Sequence, residues 1–435
     1  MLVKKIFLLS LASLLVVSCG DNSINSTKSS LINTYTISNQ NKVDLFVDGS
    51  EIFPEIFKTI DNAKKKIYVT TYLFGESIGH KIAEKLIEKK KQGLQVEFIA
   101  DGTLGTLSDL VEPAKKELNY MIQNGVEVRI FPVDLMPKGP TFLSNKKLIT
   151  HAKIVLADDQ VAMVGGMNFK DSEAINHDYM LRIEGDAAKD LSKMSDLDWS
   201  KSRPMSKSTQ SLNTKGISID NTNVDVAQTG FFEQTITAMM LNNINNAKKS
   251  IIIEMLLIDH QDIVKALVDA KNRGVDIRII VDQVDVGKYN KFLEELPIQG
   301  MANFGTVLTL NDANIPIKWY IPQQKDQMLH AKTMLIDDET FITGSANFTY
   351  HALTRNHEIS VAVKNVNVAT RYKQIFEQDW NSNSKVAELT TTQRFIGKLF
   401  QKFGKWVYGK TESEIISQVP GLSSLLKTNK SDLAK

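Results

Sequence analysis

The amino-acid sequence predicts an α/β protein made of two similar halves, and three observations support this prediction. From residue 43 onward, short runs rich in β-branched and aromatic residues alternate with amphipathic helical stretches. A segment that reads as helix, glycine, strand and terminal aspartate occurs twice, at 91–101 and 271–282. One polar motif also occurs twice with identical spacing, once in each half.

The elements of the first half follow from hydrophobic periodicity. Strands are predicted over 43–47, 67–74, 94–100 and 126–131. Helices are predicted over 54–66 and 78–91, with a further helix that ends at Gly125. Gly93 is predicted to end the helix before it, because glycine adopts the left-handed conformation that closes helices.

The second half repeats this plan. Helices are predicted over 231–249 and 263–273, and strands over 251–258 and 275–281, with Gly274 as the helix stop. The polar stretch 203–223 is the predicted joint between the halves.

Composition narrows the class of protein. The chain has 435 residues, of which 42% are hydrophobic, so it can bury a core and is not disordered throughout. The 52 Lys and Arg residues nearly balance the 50 Asp and Glu residues, so any binding of polyanions requires a local patch. The single cysteine, Cys19, excludes an intramolecular disulfide.

The first twenty residues carry a targeting signal. Lys4 and Lys5 precede an apolar run over 6–17 that is too short for an ordinary membrane-spanning helix but suits a secretory signal. The run ends in Val-Val-Ser-Cys-Gly, which resembles the lipobox of bacterial lipoproteins. The resemblance implies lipidation of Cys19 after cleavage and, since Gly20 rather than Asp follows, sorting toward the outer membrane of the cell envelope. The alternative is an ordinary cleaved signal that happens to contain a cysteine.

The repeated motif concentrates reactive side chains. In each half a His-Ala-Lys is followed by Asp, then Gly, then Asn, at intervals of five, seven and three residues after the lysine. A carboxylate follows within an Asn-His-Asp or Asn-His-Glu sequence. The residues of the two copies are His151, Lys153, Asp158, Asn168 and Asp178, and His330, Lys332, Asp337, Ser345, Asn347 and Glu358.

This set of residues suits phosphodiester chemistry. Alternation along a strand places the His and Lys of each copy on one face, with the intervening Ala turned into packing. Two imidazoles flanked by two ammoniums and two amides would form one cationic site across a pseudo-twofold axis. One imidazole would attack phosphorus, and the other would protonate the departing alkoxide and then activate the second-step alcohol or water. The lysines and asparagines would hold the non-bridging oxygens, and Asp178 and Glu358 would fix the histidine tautomers. The pairing of carboxylate with histidine is left open.

The pattern resembles the phospholipase D superfamily, whose signature is a duplicated HxK(x)4D(x)6GSxN motif. The resemblance extends over about 43–386 and implies two α-β-α sandwich domains, one active site at their interface and no metal or other cofactor. It further implies that His151 is the nucleophile and His330 the general acid. The sequence departs from the signature at Gly166, which stands where the motif has Ser.

Other roles remain open for several residues. Asp158 and Asp337 suit a structural hydrogen-bonding role at the strand ends as well as a catalytic one. His177 and His357 are better suited to local hydrogen bonding than to catalysis. Trp319 and Tyr320 would line the substrate entrance or pack. A metal site is disfavoured because each motif His neighbours a Lys that repels cations.

The region after 386 is basic and amphipathic. Residues 391–410 hold five cations and no acid, and their apolar residues share one face at helical pitch. The pattern is typical of a helix that lies at a lipid surface, or of one that docks on the protein's own body.

The sequence thus predicts six segments and a lipid-directed function. The segments are a signal peptide at 1–19, a flexible tether at 20–42, a first domain at 43–202, a linker at 203–223, a second domain at 224–386 and a basic tail at 387–435. We expect a lipid-anchored phosphodiesterase or phosphatidyltransferase whose partners are phospholipid and the membrane surface. A nuclease of the same superfamily and a silent binding protein are the alternatives, and the oligomeric state is left open.

Overall fold

The structure is a computed structural model that describes residues 36–101, 108–131, 149–205, 222–229, 235–283, 303–354 and 356–407. The expected signal peptide with Cys19, the first part of the tether, most of the linker and the end of the tail lie outside the described residues.

The first half contains strands and helices in alternation. Its strands are β1 (Thr36–Ser38), β2 (Asn41–Val47), β3 (Lys66–Thr71), β4 (Gln95–Asp101), β5 (Glu127–Phe131), β6 (Ile154–Ala157), β7 (Val161–Gly165), β8 (Tyr179–Gly185) and β9 (Arg203–Pro204). Its helices are α1 (Asp48–Asn62), α2 (Glu76–Lys91), α3 (Ser108–Gln123), α4 (Asp171–Ala174) and α5 (Asp186–Lys201).

The second half has the same order of elements. Its strands are β10 (Asn223–Thr229), β11 (Ser250–Met255), β12 (Asp276–Val281), β13 (Ile317–Tyr320), β14 (Lys332–Ile336), β15 (Thr340–Gly344), β16 (Glu358–Lys364) and β17 (Ser384–Val386). Its helices are α6 (Thr235–Asn246), α7 (Gln261–Asn272), α8 (Phe304–Asp312), α9 (Tyr350–Thr354), α10 (Val366–Ser382) and α11 (Thr391–Val407).

Sheet topology confirms the duplication. The first sheet has the strand order β2-β8-β7-β6-β3-β4-β5-β9, and the second has β1-β10-β16-β15-β14-β11-β12-β13-β17. Apart from β1, each strand of one sheet has its counterpart at the same place in the other. In both sheets three neighbouring strands are parallel (β3-β4-β5 and β11-β12-β13), while the motif strands β6 and β14 pair antiparallel to β3 and β11.

Three hydrophobic clusters stabilise the fold. One lies between the first sheet and helices α1, α2 and α3, and a second lies on the corresponding side of the second sheet. The third contains residues of both sheets together with α5 and α10, so it joins the halves. Each sheet therefore has helices on both sides. One side packs against the helices of its own half, and the other packs against the shared cluster with α5 and α10, in agreement with the predicted pair of α-β-α sandwiches.

The predicted helix stops are confirmed at three glycines. Gly93, Gly125 and Gly274 have φ of 92°, 85° and 92°, a left-handed conformation that L side chains rarely adopt. Each is followed by a strand that enters the sheet, so these residues set where α2, α3 and α7 end.

The structure corrects the expected boundaries of the first domain at both of its ends. Residues 36–42 are not all tether, because Thr36–Ser38 and the start of Asn41–Val47 are strands. Thr36–Ser38 pairs with β10, so the first described segment crosses to the sheet of the second half. Likewise Arg203–Pro204, at the start of the expected linker, pairs with β5.

The first turns of the basic tail dock on the body of the protein. Ile396 belongs to the core cluster of the second half, and the side chain of Gln401 donates a hydrogen bond to Thr309 Oγ1 at 2.6 Å. A side chain at Gly397 would approach the backbone of Phe304, with 3.0 Å between Cβ and the carbonyl oxygen. Phe395 remains 59% exposed. Self-docking therefore applies to this part of the helix.

No helix among the described residues is long and apolar enough to cross a bilayer.

Candidate active site

The motif histidines are positioned by an aspartate at the end of a neighbouring strand. Asp101 Oδ2 accepts a hydrogen bond from the backbone of Thr150 at 2.5 Å, and Asp282 Oδ2 accepts one from the backbone of Leu329 at 2.7 Å. Each of these donors lies immediately before a motif histidine. The repeated terminal aspartates of the sequence are thus the anchors of the two motifs.

Each motif begins by pairing with the other half rather than with its own sheet. The backbone N–H groups of His151 and Ala152 donate to the carbonyl of His357, and that of His330 donates to the carbonyl of His177. The sequence placed both motifs within strands, but β6 begins only at Ile154 and β14 at Lys332. The difference arises because these backbone groups bond across the interface instead of extending a ladder.

His151 is held by the second half. Its Nδ1 lies 3.0 Å from Glu358 Oε2 and 3.1 Å from the carbonyl oxygen of Ser345. Burial lowers the pKa of His151, and the neighbouring charge of Lys153 also lowers it, while Glu358 opposes the change. The ring is therefore neutral with its Nδ1 proton toward the carboxylate, which leaves the Nε2 lone pair available.

His330 is held by the first half in the same way. Its Nδ1 lies 2.6 Å from Asp178 Oδ2. Burial lowers the pKa of His330 well below its usual value, and the charges of Lys332 and Lys153 lower it further. Since groups from both halves act on this one ring, the two motifs form a single site.

The structure settles the pairing that the sequence left open. Asp178 of the first half orients His330, and Glu358 of the second half orients His151. Burial raises the pKa of Asp178 to about 6. Burial opposes ionisation of Glu358 as well, but its contacts with His151 and Lys153 outweigh burial and lower its pKa. The two carboxylates therefore differ in proton affinity.

The motif lysines are almost fully buried. Lys153 Nζ donates to the carbonyl of His151 at 2.6 Å, and Lys332 Nζ donates to the carbonyl of His330. Burial lowers the pKa of Lys153 to about 7, and burial also lowers the pKa of Lys332. An ammonium has three donors, so each lysine has protons left for an anion.

The two motif asparagines differ. Asn168 is committed, because its Oδ1 accepts from the backbone of Leu73 at 3.2 Å and its Nδ2 donates to Glu173 at 3.1 Å. Asn347 Oδ1 is buried and has no hydrogen-bond partner in the part of the chain that the structure describes. The two motif asparagines therefore differ in their partners, and the expectation that they hold the non-bridging oxygens stays a prediction.

The glycine in place of the motif serine has a steric reason. A Cβ on Gly166 would lie 2.3 Å from Asp178 Oδ1. In the second half, the side chain of Glu358 is one methylene longer, and Ser345 Oγ donates to its Oε2 at 2.5 Å. The shorter carboxylate thus needs glycine, while the longer one accommodates serine.

The structure removes Asp158 and Asp337 from the predicted catalytic set. Asp158 accepts from the backbone N–H groups of Lys64, Lys65 and Lys66 at 2.7–3.0 Å. Asp337 accepts in the same way from residues 248–250. Both lie at the opposite end of the motif strand from the histidine, so their role is structural.

His177 and His357 also have structural partners, as the sequence favoured. His177 Nδ1 lies 2.8 Å from Asp48 and its Nε2 lies 3.1 Å from Asp379 of the second half. His357 Nε2 lies 2.9 Å from Asp198 of the first half. Both imidazoles thus link the two halves.

One group of described residues has the composition of a metal site. The ligand atoms of His177, Glu254 and Asp379 lie within 4.8 Å of one another and are buried. Burial opposes protonation of His177, but the hydrogen bonds to Asp379 and Asp48 outweigh it and raise its pKa well above the usual value. Burial raises the pKa of Glu254 to about 8. The charged imidazolium and the neutral carboxyl therefore balance the charge of this buried cluster, as a bound cation would.

Trp319 and Tyr320 pack rather than line an entrance. Trp319 belongs to the core of the second half. Tyr320 belongs to the shared cluster and stacks on His177 with 5.8 Å between ring centroids.

Two residues near the histidines were missed from the sequence. The ring of Tyr72 lies 5.0 Å from that of His151. The negative charge of Glu173 acts on Lys153, Lys332 and His330. Neither has a repeated counterpart, so the internal comparison that found the motif could not find them.

Comparisons with known proteins match both halves of the chain to one family model. A family model described as "Cardiolipin synthase, PLD-like domain" matches the chain twice, at 56–199 and 240–380. The matches together cover more than half of the chain, and one falls in each half.

The relatives are distant in sequence, but the alignments with them extend over most of the chain. Cardiolipin synthase 1 of Staphylococcus aureus (strain MRSA252) is 26% identical over 385 residues, which cover 84% of this chain and 73% of that protein. Cardiolipin synthase 1 of Staphylococcus epidermidis is 27% identical over 356 residues, which cover 79% of this chain and 68% of that protein.

Solved structures share the fold. A phosphatidylserine synthase of Haemophilus influenzae Rd KW20 superposes with a TM-score of 0.63 at 14% identity, covering 85% of this chain and 95% of that chain. A polyphosphate kinase of Porphyromonas gingivalis superposes with a TM-score of 0.52 at 14% identity, covering 84% of this chain and 56% of that chain. At this identity the likeness concerns the fold alone.

Proposed function

The chain belongs to the cardiolipin synthase, PLD-like domain family, and on that premise we propose that it is a phosphatidyltransferase or phosphodiesterase that acts on phospholipid through a phosphohistidine. One observation carries the proposal: two histidines, one from each half, meet in one site, each oriented by a carboxylate of the opposite half. The names of the relatives support phospholipid as the substrate class.

The geometry suggests a role for each histidine. In the first step, His151 Nε2 forms a bond to phosphorus while the bond from phosphorus to the headgroup oxygen breaks, and His330 gives a proton to that oxygen. In the second step, an acceptor hydroxyl gives its proton to His330 and attacks phosphorus, which releases His151. The arriving phosphodiester anion offsets the charges of Lys332 and Lys153, so the pKa of His330 rises when substrate binds. His330 Nε2 then takes up a proton from solvent, and this is the proton that it gives to the headgroup oxygen.

The remaining site residues would hold the phosphate. Lys153 and Lys332 offer protons beyond those that bind the histidine carbonyls, and Asn347 would donate from its Nδ2 group. Charge on the non-bridging oxygens rises in the transition state, so these donors would contribute most there.

The experiment offers the purified protein two substrate classes in the presence of chelator. Vesicles of phosphatidylglycerol should yield cardiolipin and glycerol by transfer, or phosphatidic acid by hydrolysis. Supercoiled plasmid tests the nuclease alternative, which is favoured by the basic residues of 391–410. Nicking of the plasmid without lipid turnover would overturn the proposal. Absence of activity on both substrates would indicate a binding protein. His151→Ala and His330→Ala serve as matched controls.

A second proposal concerns where the protein acts. The sequence around Cys19 supports a lipid anchor that holds the enzyme at the bacterial cell envelope, with the outer membrane favoured by Gly20. Cys19→Ser should move the protein from the membrane fraction to the soluble fraction, and wild type should sediment with outer-membrane markers. Retention of the variant on membranes would contradict the anchor, and would direct attention to the basic tail as a membrane contact.

A further inference from the structure

We propose that His177, Glu254 and Asp379 form a structural zinc site that joins the two halves of the protein. His177 lies just before β8 of the first half, whereas Glu254 lies in β11 and Asp379 in α10 of the second half. The ion would hold the fold and take no part in phosphoryl transfer, so its binding can be measured without any substrate.

The three side chains are buried, and one ligand atom of each turns toward a common space. These atoms lie within 4.8 Å of one another, and His177 Nε2 lies 3.1 Å from Asp379 Oδ2. Ligand atoms at about 2.0–2.1 Å from a tetrahedral zinc ion are about 3.4 Å apart, so this pair already has a suitable spacing. Glu254 Oε1 is buried and has no hydrogen-bond partner among the described residues, which leaves it available as the third ligand.

His177 is oriented as a zinc ligand requires. Its Nδ1 lies 2.8 Å from Asp48 Oδ1, and zinc-bound histidines usually donate their other ring N–H to such a carboxylate. This contact directs Nε2 toward Asp379. The Asp48 side chain is 41% exposed, so the cluster borders solvent on this side and an ion can enter there.

The two carboxylates are each held by one oxygen. Asn383 Nδ2 donates to Asp379 Oδ1 at 2.6 Å, and the Tyr179 hydroxyl donates to Glu254 Oε2 at 2.7 Å. The second oxygen of each carboxylate is the one assigned to the ion. All three ligands therefore have a neighbour that fixes one atom, as the outer partners of a metal site do.

The corresponding place in the other half lacks this composition. His357 Nε2 lies 2.9 Å from Asp198 Oδ2 and 2.8 Å from Gln228 Nε2, so it meets one carboxylate and one amide. Glu254 pairs with the motif strand at the place where Thr70 pairs with it in the first sheet. Two carboxylates around one imidazole thus occur on one side only, and the fold itself does not require them.

Zinc suits both the donor atoms and the charge of the cluster. It accepts imidazole nitrogen together with carboxylate oxygen, whereas magnesium and calcium prefer oxygen ligands alone. In metal-free protein the imidazolium and the neutral carboxyl hold two protons. Zinc that displaces both protons leaves the net charge of the buried cluster unchanged.

The ion would also brace the second motif. The carbonyl of His177 accepts a hydrogen bond from the backbone N–H of His330 at 2.9 Å, and the next residue, Asp178, orients the His330 ring. Zinc on His177 would therefore tie this stretch of backbone to β11 and α10.

Metal content tests the proposal directly. The untagged full-length protein is stripped with EDTA, incubated with excess zinc, desalted and analysed by elemental mass spectrometry. Wild type should retain one zinc ion per chain, and Glu254→Gln should retain none while its circular dichroism is unchanged. His357→Gln is the matched control, because its imidazole meets only one carboxylate, and it should retain zinc as wild type does. Absence of zinc from wild type, or equal zinc in Glu254→Gln, would overturn the proposal.

A second variant tests the outer partner of the histidine. Asparagine tolerates the φ of 57° at Asp48, so Asp48→Asn keeps the backbone and removes the charge behind His177. Zinc affinity, measured by titration calorimetry, should fall about 10- to 100-fold. Zinc should also raise the Tm of wild type, and EDTA should reverse the rise, while magnesium should leave Tm unchanged. Equal zinc affinity in Asp48→Asn, or an equal rise of Tm with magnesium, would contradict the assigned ligands.

Discussion

At the scale of single residues, the pseudo-symmetric site is chemically unequal. His151 faces an ionised carboxylate that also accepts a hydrogen bond from Ser345, whereas His330 faces Asp178, whose pKa burial raises to about 6. The side of the first motif lacks the serine hydroxyl and carries an additional carboxylate, Glu173. The carboxylates that the two motif histidines face therefore differ in proton affinity, although the motif itself is repeated.

The roles of the two histidines can be separated with a leaving group that needs no proton. His330→Ala should lose about 100- to 10,000-fold in turnover of an alkyl phosphodiester. With a p-nitrophenyl phosphodiester, the same variant should still release a burst of nitrophenolate, because His151 can attack without acid assistance. Stopped-flow absorbance measures the burst, and circular dichroism checks the fold.

His151→Ala should lose turnover of both substrates and show no burst. A burst in His151→Ala and none in His330→Ala would reverse the assignment of nucleophile and acid.

Gly166 is predicted to be intolerant of the motif serine. In Gly166→Ser the new Cβ would lie 2.3 Å from Asp178 Oδ1, so the carboxylate must leave its place beside His330. We expect kcat to fall about 10- to 100-fold, since loss of the orienting group misplaces the imidazole. Gly93→Ala is the control: its Cβ meets nothing within 4 Å, so it should lower stability while kcat per folded molecule stays near wild type. Wild-type kcat in Gly166→Ser would contradict the steric explanation.

At the scale of elements, the two ends of each motif strand have different functions. The end that enters the strand carries the histidine and is anchored by Asp101 or Asp282. The other end carries the motif aspartate in a left-handed conformation, with φ of 55° at both Asp158 and Asp337. The aspartate of the signature thus ties the motif hairpin to the loop before the neighbouring strand.

Substitution of Asp337 should affect stability and not chemistry. Asp337→Ala removes the acceptor of three backbone N–H groups. It also places alanine, which has no polar side chain, at a position with positive φ. We expect the free energy of unfolding to fall by about 2–4 kcal/mol, measured by chemical denaturation, with kcat near wild type. Asp337→Asn, which keeps an acceptor and tolerates this conformation, should recover part of the loss. A large drop in kcat in a well-folded Asp337→Ala would return the residue to the catalytic set.

At the scale of the whole molecule, side chains that cross the interface make the site a property of both halves together. Asp178 and Glu358 each orient the histidine of the opposite half, and Asp198 and Asp379 each bond the second histidine of the opposite half. The shared hydrophobic cluster holds the sheets at the separation that these contacts need. Neither half by itself contains both a motif histidine, His151 or His330, and the carboxylate that orients it.

The buried group at this interface predicts a pH dependence of stability. The pKa of Glu254 is about 8 in the folded protein, against an ordinary value of 4.5, chiefly because of burial. Between these values the folded state holds a proton that the unfolded state releases, so the Glu254 contribution makes stability fall as pH rises from about 4.5 to about 8. Glu254→Gln keeps the acceptor for Tyr179 and removes the ionisation.

We therefore expect Glu254→Gln to raise Tm by roughly 3–8 °C at pH 9 and to leave it nearly unchanged at pH 5, as measured by calorimetry. Tyr179→Phe, which removes the hydroxyl that donates to Glu254 at 2.7 Å, is the companion variant and should lower Tm at both pH values. An equal effect of Glu254→Gln at both pH values would contradict ionisation as the cause.

The sequence by itself determined the duplication, the α/β alternation, the helix stops and the two histidine motifs. These are local or repeated properties: periodicity decides which face of an element is buried, glycine decides where a helix can turn, and a repeated spacing is visible without coordinates. It also indicated the docked tail helix as one of two alternatives.

Only the tertiary structure decided which carboxylate orients which histidine, that Asp158 and Asp337 lie away from the site, and that Asn168 is committed to Glu173. Each of these depends on contacts between residues far apart in the chain, such as His151 with Glu358 and His330 with Asp178. Spacing along one chain cannot show which half a side chain faces, because that follows from how the two sheets pack against their shared core. For the same reason the sequence did not reveal Tyr72 and Glu173, which have no repeated counterpart and come near the site only in the folded protein.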